Sequence, residues 1–83
     1  MLFRSTTAIE FDLVHPSIVS LKVFTLLGTE VATLIDERPM DLGVRRILFD
    51  GSSLNSGVYL YRLVARDADG KTFVSVKKMT LLK

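Results

Sequence analysis

The sequence predicts a small all-β domain of six or seven short antiparallel strands, arranged as a sandwich or a barrel. Apolar and polar residues alternate in several segments, which is the period of a strand with one buried face. Turn signals built on glycine, proline and aspartate recur at short, even spacing. With 83 residues and no cysteine, we expect residues 1–83 to form one domain held by apolar burial and backbone pairing.

The first clear strand lies near the N-terminus. Its apolar residues Ile9, Phe11 and Leu13 alternate with the acids Glu10 and Asp12. This places the apolar set on a core face and the two acids in solvent. A turn with a proline then ends the strand.

The second strand, residues 18–26, has the same alternation and leads into a tight hairpin at Gly28, a residue that adopts a positive φ at little cost. The third strand, residues 30–35, returns from this hairpin. A helix is the alternative for residues 30–37, because their apolar residues also fit helical spacing. The short length and the flanking glycine favour the strand.

The longest break is predicted for residues 36–43, where Pro39 interrupts a run of charged residues. Alternation resumes in a strand over residues 44–50. A polar crossover, residues 51–57, follows, and we expect its single apolar residue, Leu54, to close the end of the sandwich.

The most hydrophobic segment, Val58–Val64, predicts a central strand that is covered on both faces. A hairpin turn follows at Asp67–Lys71, whose Asp-Gly pair favours a type I′ or bulged turn. The last strand spans Thr72–Leu82.

Composition argues against several classes of function. The net charge is only +2, from eleven basic and nine acidic residues. No block of like charge exceeds two residues, and the densest basic blocks are Arg45-Arg46 and Lys77-Lys78, so we expect no nucleic-acid partner. No apolar run approaches the roughly 20 residues of a membrane-spanning helix. The N-terminus lacks a signal peptide, and its abrupt start suggests an excised domain with an initiator methionine.

The residues nominate no catalytic or metal site, so we expect neither enzyme activity nor a cofactor. His15 is the only histidine, and nothing beside it suggests a nucleophile or an orienting partner. The Asp67-x-Asp69-Gly70 turn resembles the start of a calcium loop but lacks the later glutamate. A calcium ion held by loop acids remains an alternative; the acids concerned are Asp36, Glu37 and Asp41.

Two motifs carry a resemblance to a known family. A Leu-Gly-x-Glu-Val hairpin begins at Leu27, and a Ser-Gly-Val-Tyr-x-Tyr strand begins at Ser56. With the lysine-rich last strand, they resemble the C-terminal sorting domains of the type IX secretion system. They are also similar to the immunoglobulin-like domain of flagellar hook-capping proteins. The resemblance covers essentially the whole chain, although the family's usual opening segment is reduced here to Phe3.

The resemblance implies an immunoglobulin-like β-sandwich that acts as a non-catalytic sorting module of a larger protein. Its partners would be the outer-membrane secretion machinery and the parent protein's domains, and its location the surface of a Gram-negative bacterium, reached through the periplasm. The recognition segment would comprise Lys77, Lys78, Met79, Leu81 and Lys83. The structural signature residues would be Gly28, Glu30, Gly57, Tyr59 and Tyr61.

The alternative is a structural immunoglobulin-like module that packs on neighbouring domains or on further copies of itself. It rests on the apolar residues expected on outer faces, because such residues indicate a packing partner. They are Phe24, Leu48, Leu60 and Val74. A carbohydrate-binding sandwich is less well supported, since the chain has no tryptophan and both tyrosines fall in the central strand.

Overall fold

The computed structural model describes residues 2–83, which form seven strands and no helix. The prediction of an all-β domain is confirmed, and the helical alternative for residues 30–37 is wrong. The strands are β1 (Leu2–Phe3), β2 (Thr6–Leu13), β3 (Ser17–Thr25), β4 (Glu30–Met40), β5 (Gly43–Asp50), β6 (Gly57–Asp67) and β7 (Thr72–Leu81). Within the described residues, no helix is long and apolar enough to cross a membrane.

The strands form two sheets, which settles the choice between sandwich and barrel in favour of a small immunoglobulin-like sandwich. The larger sheet has the order β1-β7-β6-β3-β4, and the smaller sheet contains β2 and β5. Strands β6 and β3 lie at the centre of the larger sheet, as the apolar run in β6 predicts. The expectation of purely antiparallel pairing is wrong at one place, because β1 runs parallel to β7.

The core lies between the sheets and is built from alternate residues of each strand. On β2 the buried residues are Ile9 and Leu13, with Phe11 packed against them. The acids between these residues, Glu10 and Asp12, are exposed, as the alternation predicts. The larger sheet contributes most of the remaining buried residues: Val19, Leu21, Val23, Ile35, Tyr59, Tyr61, Leu63, Ala65, Met79 and Leu81.

Strand β4 corrects the predicted loop at residues 36–43. The strand continues to Met40, so only residues 41–42 separate it from β5. Because β4 is an edge strand, Pro39 can lack an N–H group without breaking an inner ladder. The pairing of β3 with β4 also shifts register three times, and Glu37 has a φ of 47°. The residues at these irregular positions, a proline among charged residues, are also typical of a loop.

Aromatic and aliphatic side chains close one end of the sandwich. The rings of Phe3 and Phe49 meet edge to face, with centroids 6.0 Å apart. Leu54 packs against the core from the crossover, as predicted. Gly51 is buried beside them, and a Cβ atom there would lie 3.2 Å from the Phe3 ring. Strand β1 therefore seals this end.

Candidate interaction surface

The segment expected to carry recognition is divided between the core and two opposite faces. Met79 and Leu81 are fully buried, each with 0% of its surface exposed. Lys77 and Lys78 are exposed and, as consecutive strand residues, point to opposite faces of the larger sheet. Four of the five segment residues therefore form no common surface in the folded domain.

The fifth residue, Lys83, is held by the crossover before β6. Its backbone N–H donates to Ser56 Oγ at 3.0 Å, and its Nζ donates to the Ser52 carbonyl at 2.6 Å. The N–H of Leu82 donates to the Phe3 carbonyl at 2.9 Å. The last residues of the described chain are thus tied to the end of the sandwich that β1 seals.

The hairpin signature residues have structural roles. Gly28 has a φ of 92° and donates its N–H to the Thr25 carbonyl at 3.0 Å, which closes the predicted turn. Glu30 accepts a hydrogen bond from Thr33 Oγ1 at 2.7 Å and lies 3.5 Å from Lys22 Nζ. The Thr33 hydrogen bond, with a smaller contribution from the Lys22 charge, lowers the pKa of Glu30.

The signature residues of β6 build the strand and the core. Gly57 begins the strand with a φ of 156°. The Tyr59 hydroxyl donates to the Asn55 carbonyl at 2.6 Å, so the polar end of this buried tyrosine is hydrogen-bonded to backbone. Tyr61 is buried, and its desolvation raises the pKa of the phenol.

The feature that stands apart from these structural roles is an unpaired edge on β7. Strand β6 pairs with β7 from Thr72 to Leu81, whereas β1 reaches its other side only at Thr80 and Leu81. Within residues 2–83, no strand pairs with that side over residues 72–77. We call this stretch the open edge.

The direction of the backbone groups along the open edge follows from the β1 contact. The N–H of Leu82 points toward β1, because Phe3 accepts its hydrogen bond. Peptide groups point to alternate sides along a regular strand, and β7 keeps one register against β6 throughout. The N–H and C=O groups of Val74 and Val76 therefore point away from β6, toward the open side.

The other edges of the two sheets carry the protections that usually prevent edge pairing. Strand β4 has a proline, a residue with positive φ and three register shifts. Strand β2 presents Glu10 and Asp12, and β5 presents Arg45 and Arg46. By contrast, residues 72–76 are Thr-Phe-Val-Ser-Val, without charge, proline or irregular register.

The open edge is also apolar. Phe73 is 62% exposed, and Val74 and Val76 are each 54% exposed. Val64 of β6 is half-buried and lies directly opposite Val74, so the apolar surface continues onto the outer face of the sheet. The expected exposure of Val74 is confirmed, as is that of Leu48 on the smaller sheet, whereas Phe24 and Leu60 are half-buried.

A groove runs beside the open edge on the inner side of β7. It encloses about 170 Å³ between β2 and β7. Phe73, Ser75 and Lys77 line it from β7, while Glu10 and Asp12 line it from β2. The two-stranded sheet thus leaves this part of the larger sheet incompletely covered, which accounts for the exposure of Phe73.

The described residues do not form a metal site. Within residues 2–83, no group of three histidine, cysteine, aspartate or glutamate residues could hold an ion. His15 is exposed between β2 and β3, and the sulfur-bearing Met79 is enclosed in the core. The Asp50 carboxylate is instead engaged in a turn, where it accepts a hydrogen bond from the Ser52 N–H at 2.9 Å. This hydrogen bond lowers the pKa of the carboxyl group.

Comparisons with known proteins bear on the fold. No family model and no curated protein matches the chain. Among solved structures, the fold is similar to that of CopC from Methylosinus trichosporium OB3b, with a TM-score of 0.66 and 14% sequence identity. The match covers 96% of this chain and 80% of that chain. At this identity the likeness shows the fold alone, a small β-sandwich.

This comparison corrects the function predicted from the sequence. A solved structure that shares this fold is CopC and not a sorting domain, so the comparison contradicts the prediction of a type IX sorting module. The family resemblance itself is tested by none of these comparisons.

Sequence reasoning missed the open edge as a site, although it placed Val74 on an outer face. The available signal was the uncharged stretch at residues 72–76. That stretch lies outside the part of β7 that pairs with the described residues of β1. Strand order across a sheet depends on long-range pairing, which local alternation does not encode.

Proposed function

We propose that this domain is a non-catalytic interaction module that binds an extended polypeptide strand along the open edge of β7. The observation that carries the proposal is the row of outward-facing backbone groups at Val74 and Val76, set in an uncharged, exposed stretch. Backbone hydrogen bonds to an added strand would give affinity, and alternate side chains would give selectivity.

The side chains around the edge define the chemistry of the partner strand. On the outer face, Val74 and Val76 fit β-branched or other apolar residues, which pack well as cross-strand neighbours. On the inner face, Ser75 and Lys77 fit polar or acidic residues. The partner is therefore an extended segment of alternating apolar and polar residues, as in the strands of another domain or another chain.

A periplasmic or extracellular setting is part of this proposal. Its support is the fold that the domain shares with CopC.

The test is the binding of a peptide that has the proposed chemistry. The probe is an eight-residue peptide of alternating valine and threonine with a glutamate at each end, titrated into isotopically labelled domain. We expect the amide resonances of residues 72–77 to shift and those of β4 to stay unchanged. Shifts confined to other strands, or no binding at millimolar peptide, would contradict the proposal.

Two substitutions at one position separate backbone pairing from side-chain contact. Val76→Pro removes an N–H that points away from β6, so the ladder inside the sheet keeps its hydrogen bonds. Val76→Thr retains the N–H and the β-branched shape. We expect peptide affinity to fall at least tenfold in Val76→Pro and to change less than threefold in Val76→Thr, with thermal unfolding confirming that both variants fold. Equal affinity in both variants would argue against strand addition.

A further inference from the structure

We propose that a polar pocket on the outer face of the larger sheet binds a small free α-amino acid as its zwitterion. The pocket encloses about 210 Å³ and is lined by Ser20, Lys22, Glu37, Arg62 and Val64. These residues belong to β3, β4 and β6, and none of them belongs to β7. The proposal therefore goes beyond the proposed function and does not depend on it.

Two like charges lie directly opposite each other in this pocket. Lys22 of β3 pairs with Arg62 of β6 in the antiparallel register. Their side chains lie on the outer face, because Leu21 and Val23, the neighbours of Lys22, are buried in the core. Like charges at directly opposite positions destabilise a sheet. A bound carboxylate would replace this repulsion with two attractions, so the pair favours an anionic group.

Both cations keep capacity for a further partner. The Lys22 Nζ lies 3.5 Å from a Glu30 carboxylate oxygen, which is longer than the roughly 2.7–2.9 Å of a strong charge-assisted hydrogen bond. The Arg62 guanidinium lies over the Phe24 ring, 5.2 Å from its centroid, and forms no ion pair within residues 2–83. A guanidinium above a ring still has N–H groups at its rim. Arg62 can therefore bind a carboxylate through two parallel hydrogen bonds.

A β-bulge brings an acidic side chain to the same pocket. The pairing of β3 with β4 shifts there, so that Asp36 and Glu37 together lie opposite the single residue Ser20. The Glu37 N–H donates to Ser20 Oγ at 3.3 Å, and this hydroxyl donates to Glu37 Oε1 at 3.4 Å. Glu37 has a φ of 47°, which is costly for a residue with a side chain. Bulges redirect side chains, and strained residues cluster at binding sites, so the arrangement supports a site here.

The charges of the pocket match those of an α-amino acid. The ligand carboxylate lies between Lys22 and Arg62, and the ligand ammonium group meets the Glu37 carboxylate. The existing contacts of Glu37 are long, at 3.4 Å to the serine hydroxyl and 3.8 Å to Arg66, so its oxygens can accept a closer donor. A small apolar side chain packs on the half-buried Val64. A simple anion fits less well, because Glu37 would repel it.

The exposure of the pocket predicts weak binding. The side chains of Lys22 and Glu37 are 32% and 64% exposed, and solvent screens such charges. We expect a dissociation constant on the order of 1 mM for L-valine at low ionic strength. The affinity should fall with added salt, because exposed charges are increasingly screened.

The first experiment is a titration of isotopically labelled domain with L-valine, followed by amide chemical shifts. We expect saturable shifts at positions 20, 22, 37, 62 and 64 and unchanged resonances in β5. Isovalerate lacks the ammonium group of valine and isobutylamine lacks its carboxylate, so each should bind at least fivefold more weakly. No saturable shift up to about 20 mM valine, well above the expected constant, would overturn the proposal. Equal affinity for isovalerate would show a plain anion site and would overturn the zwitterion as ligand.

Three substitutions separate binding from folding. Arg62→Gln removes one of the opposed charges and should weaken valine binding at least fivefold, with the melting temperature within about 4 °C of wild type. Arg46→Gln removes the same charge from the other sheet and should leave valine affinity unchanged. An equal loss in both variants would overturn the assigned site.

Glu37→Gln tests the role of the acid. It removes the negative charge but keeps a side chain of the same length, so it should weaken valine binding at least threefold without weakening isovalerate binding. Unchanged valine affinity, or an equal loss for both ligands, would refute the contact between Glu37 and the ligand ammonium group.

Discussion

Replacing Met79 with alanine should remove a large part of the stability of this domain. Met79 is 0% exposed on β7 and belongs to the core that the two sheets enclose. A buried methionine truncated to alanine loses transfer free energy and leaves a cavity, at a cost of about 2–5 kcal/mol. A domain of this size has about 4–12 kcal/mol of unfolding free energy in total. Met79→Ala should therefore lose between about a sixth and all of the unfolding free energy.

Urea denaturation followed by circular dichroism measures this loss, with Lys77→Ala as the matched control on the same strand. Lys77 is exposed, and a surface substitution of this kind usually changes stability by less than about 0.5 kcal/mol. At about 4–8 °C per kcal/mol, the melting temperature of Met79→Ala should fall by roughly 10 °C or more. A loss below about 1 kcal/mol, or an equal loss in Lys77→Ala, would refute the assignment of Met79 to the core.

Three further predictions concern stability. Gly51→Ala should lower the free energy of unfolding by about 1–3 kcal/mol, because its Cβ would lie 3.2 Å from the Phe3 ring. A denaturant titration measures this loss, and an unchanged midpoint would show that the ring moves aside. The folded pKa of Asp50 is lowered by the Ser52 N–H, so its stabilising effect is present above the ordinary value of 3.8 and is lost as pH falls through the folded pKa. Asp50→Asn should therefore flatten the decline in melting temperature below pH 4, and an identical decline would contradict this. Burial raises the folded pKa of Tyr61, so its contribution is complete below pH 10.0 and is lost as pH rises through the folded pKa. Tyr61→Phe should then lose less stability between pH 9 and pH 11 than the wild-type chain. Equal losses in the two chains would contradict this prediction.

The parts of the fold that could be predicted from the sequence are those governed by local patterning. Alternation placed β2 correctly, and the apolar run placed β6 at the centre of its sheet. Gly28 marked the first hairpin, because few other residues adopt its positive φ. The C-terminal half of β4 was missed, since Pro39 and its charged neighbours are also typical of a loop, and only the edge position of β4 makes them compatible with a strand.

The candidate site was harder to predict, because it depends on which strands are neighbours. The family resemblance implied that the lysine-rich end of β7 is a recognition segment, yet Met79 and Leu81 in that segment are core residues. The open edge lies a few residues earlier, at Val74 and Val76. Within the described residues, β1 covers only Thr80 and Leu81 of β7.

Amide hydrogen exchange at single-residue resolution tests the central claim most directly, because it reports on the backbone groups of the open edge themselves. Exchange would be compared for the free chain and for the chain with bound peptide. We predict that the amides of Val74 and Val76 exchange rapidly in the free chain and become at least tenfold slower with bound peptide, while the amide of Ser75, which points toward β6, is protected throughout. Slow exchange of Val74 and Val76 in the free chain, or no change on peptide binding, would contradict an open edge that binds a strand.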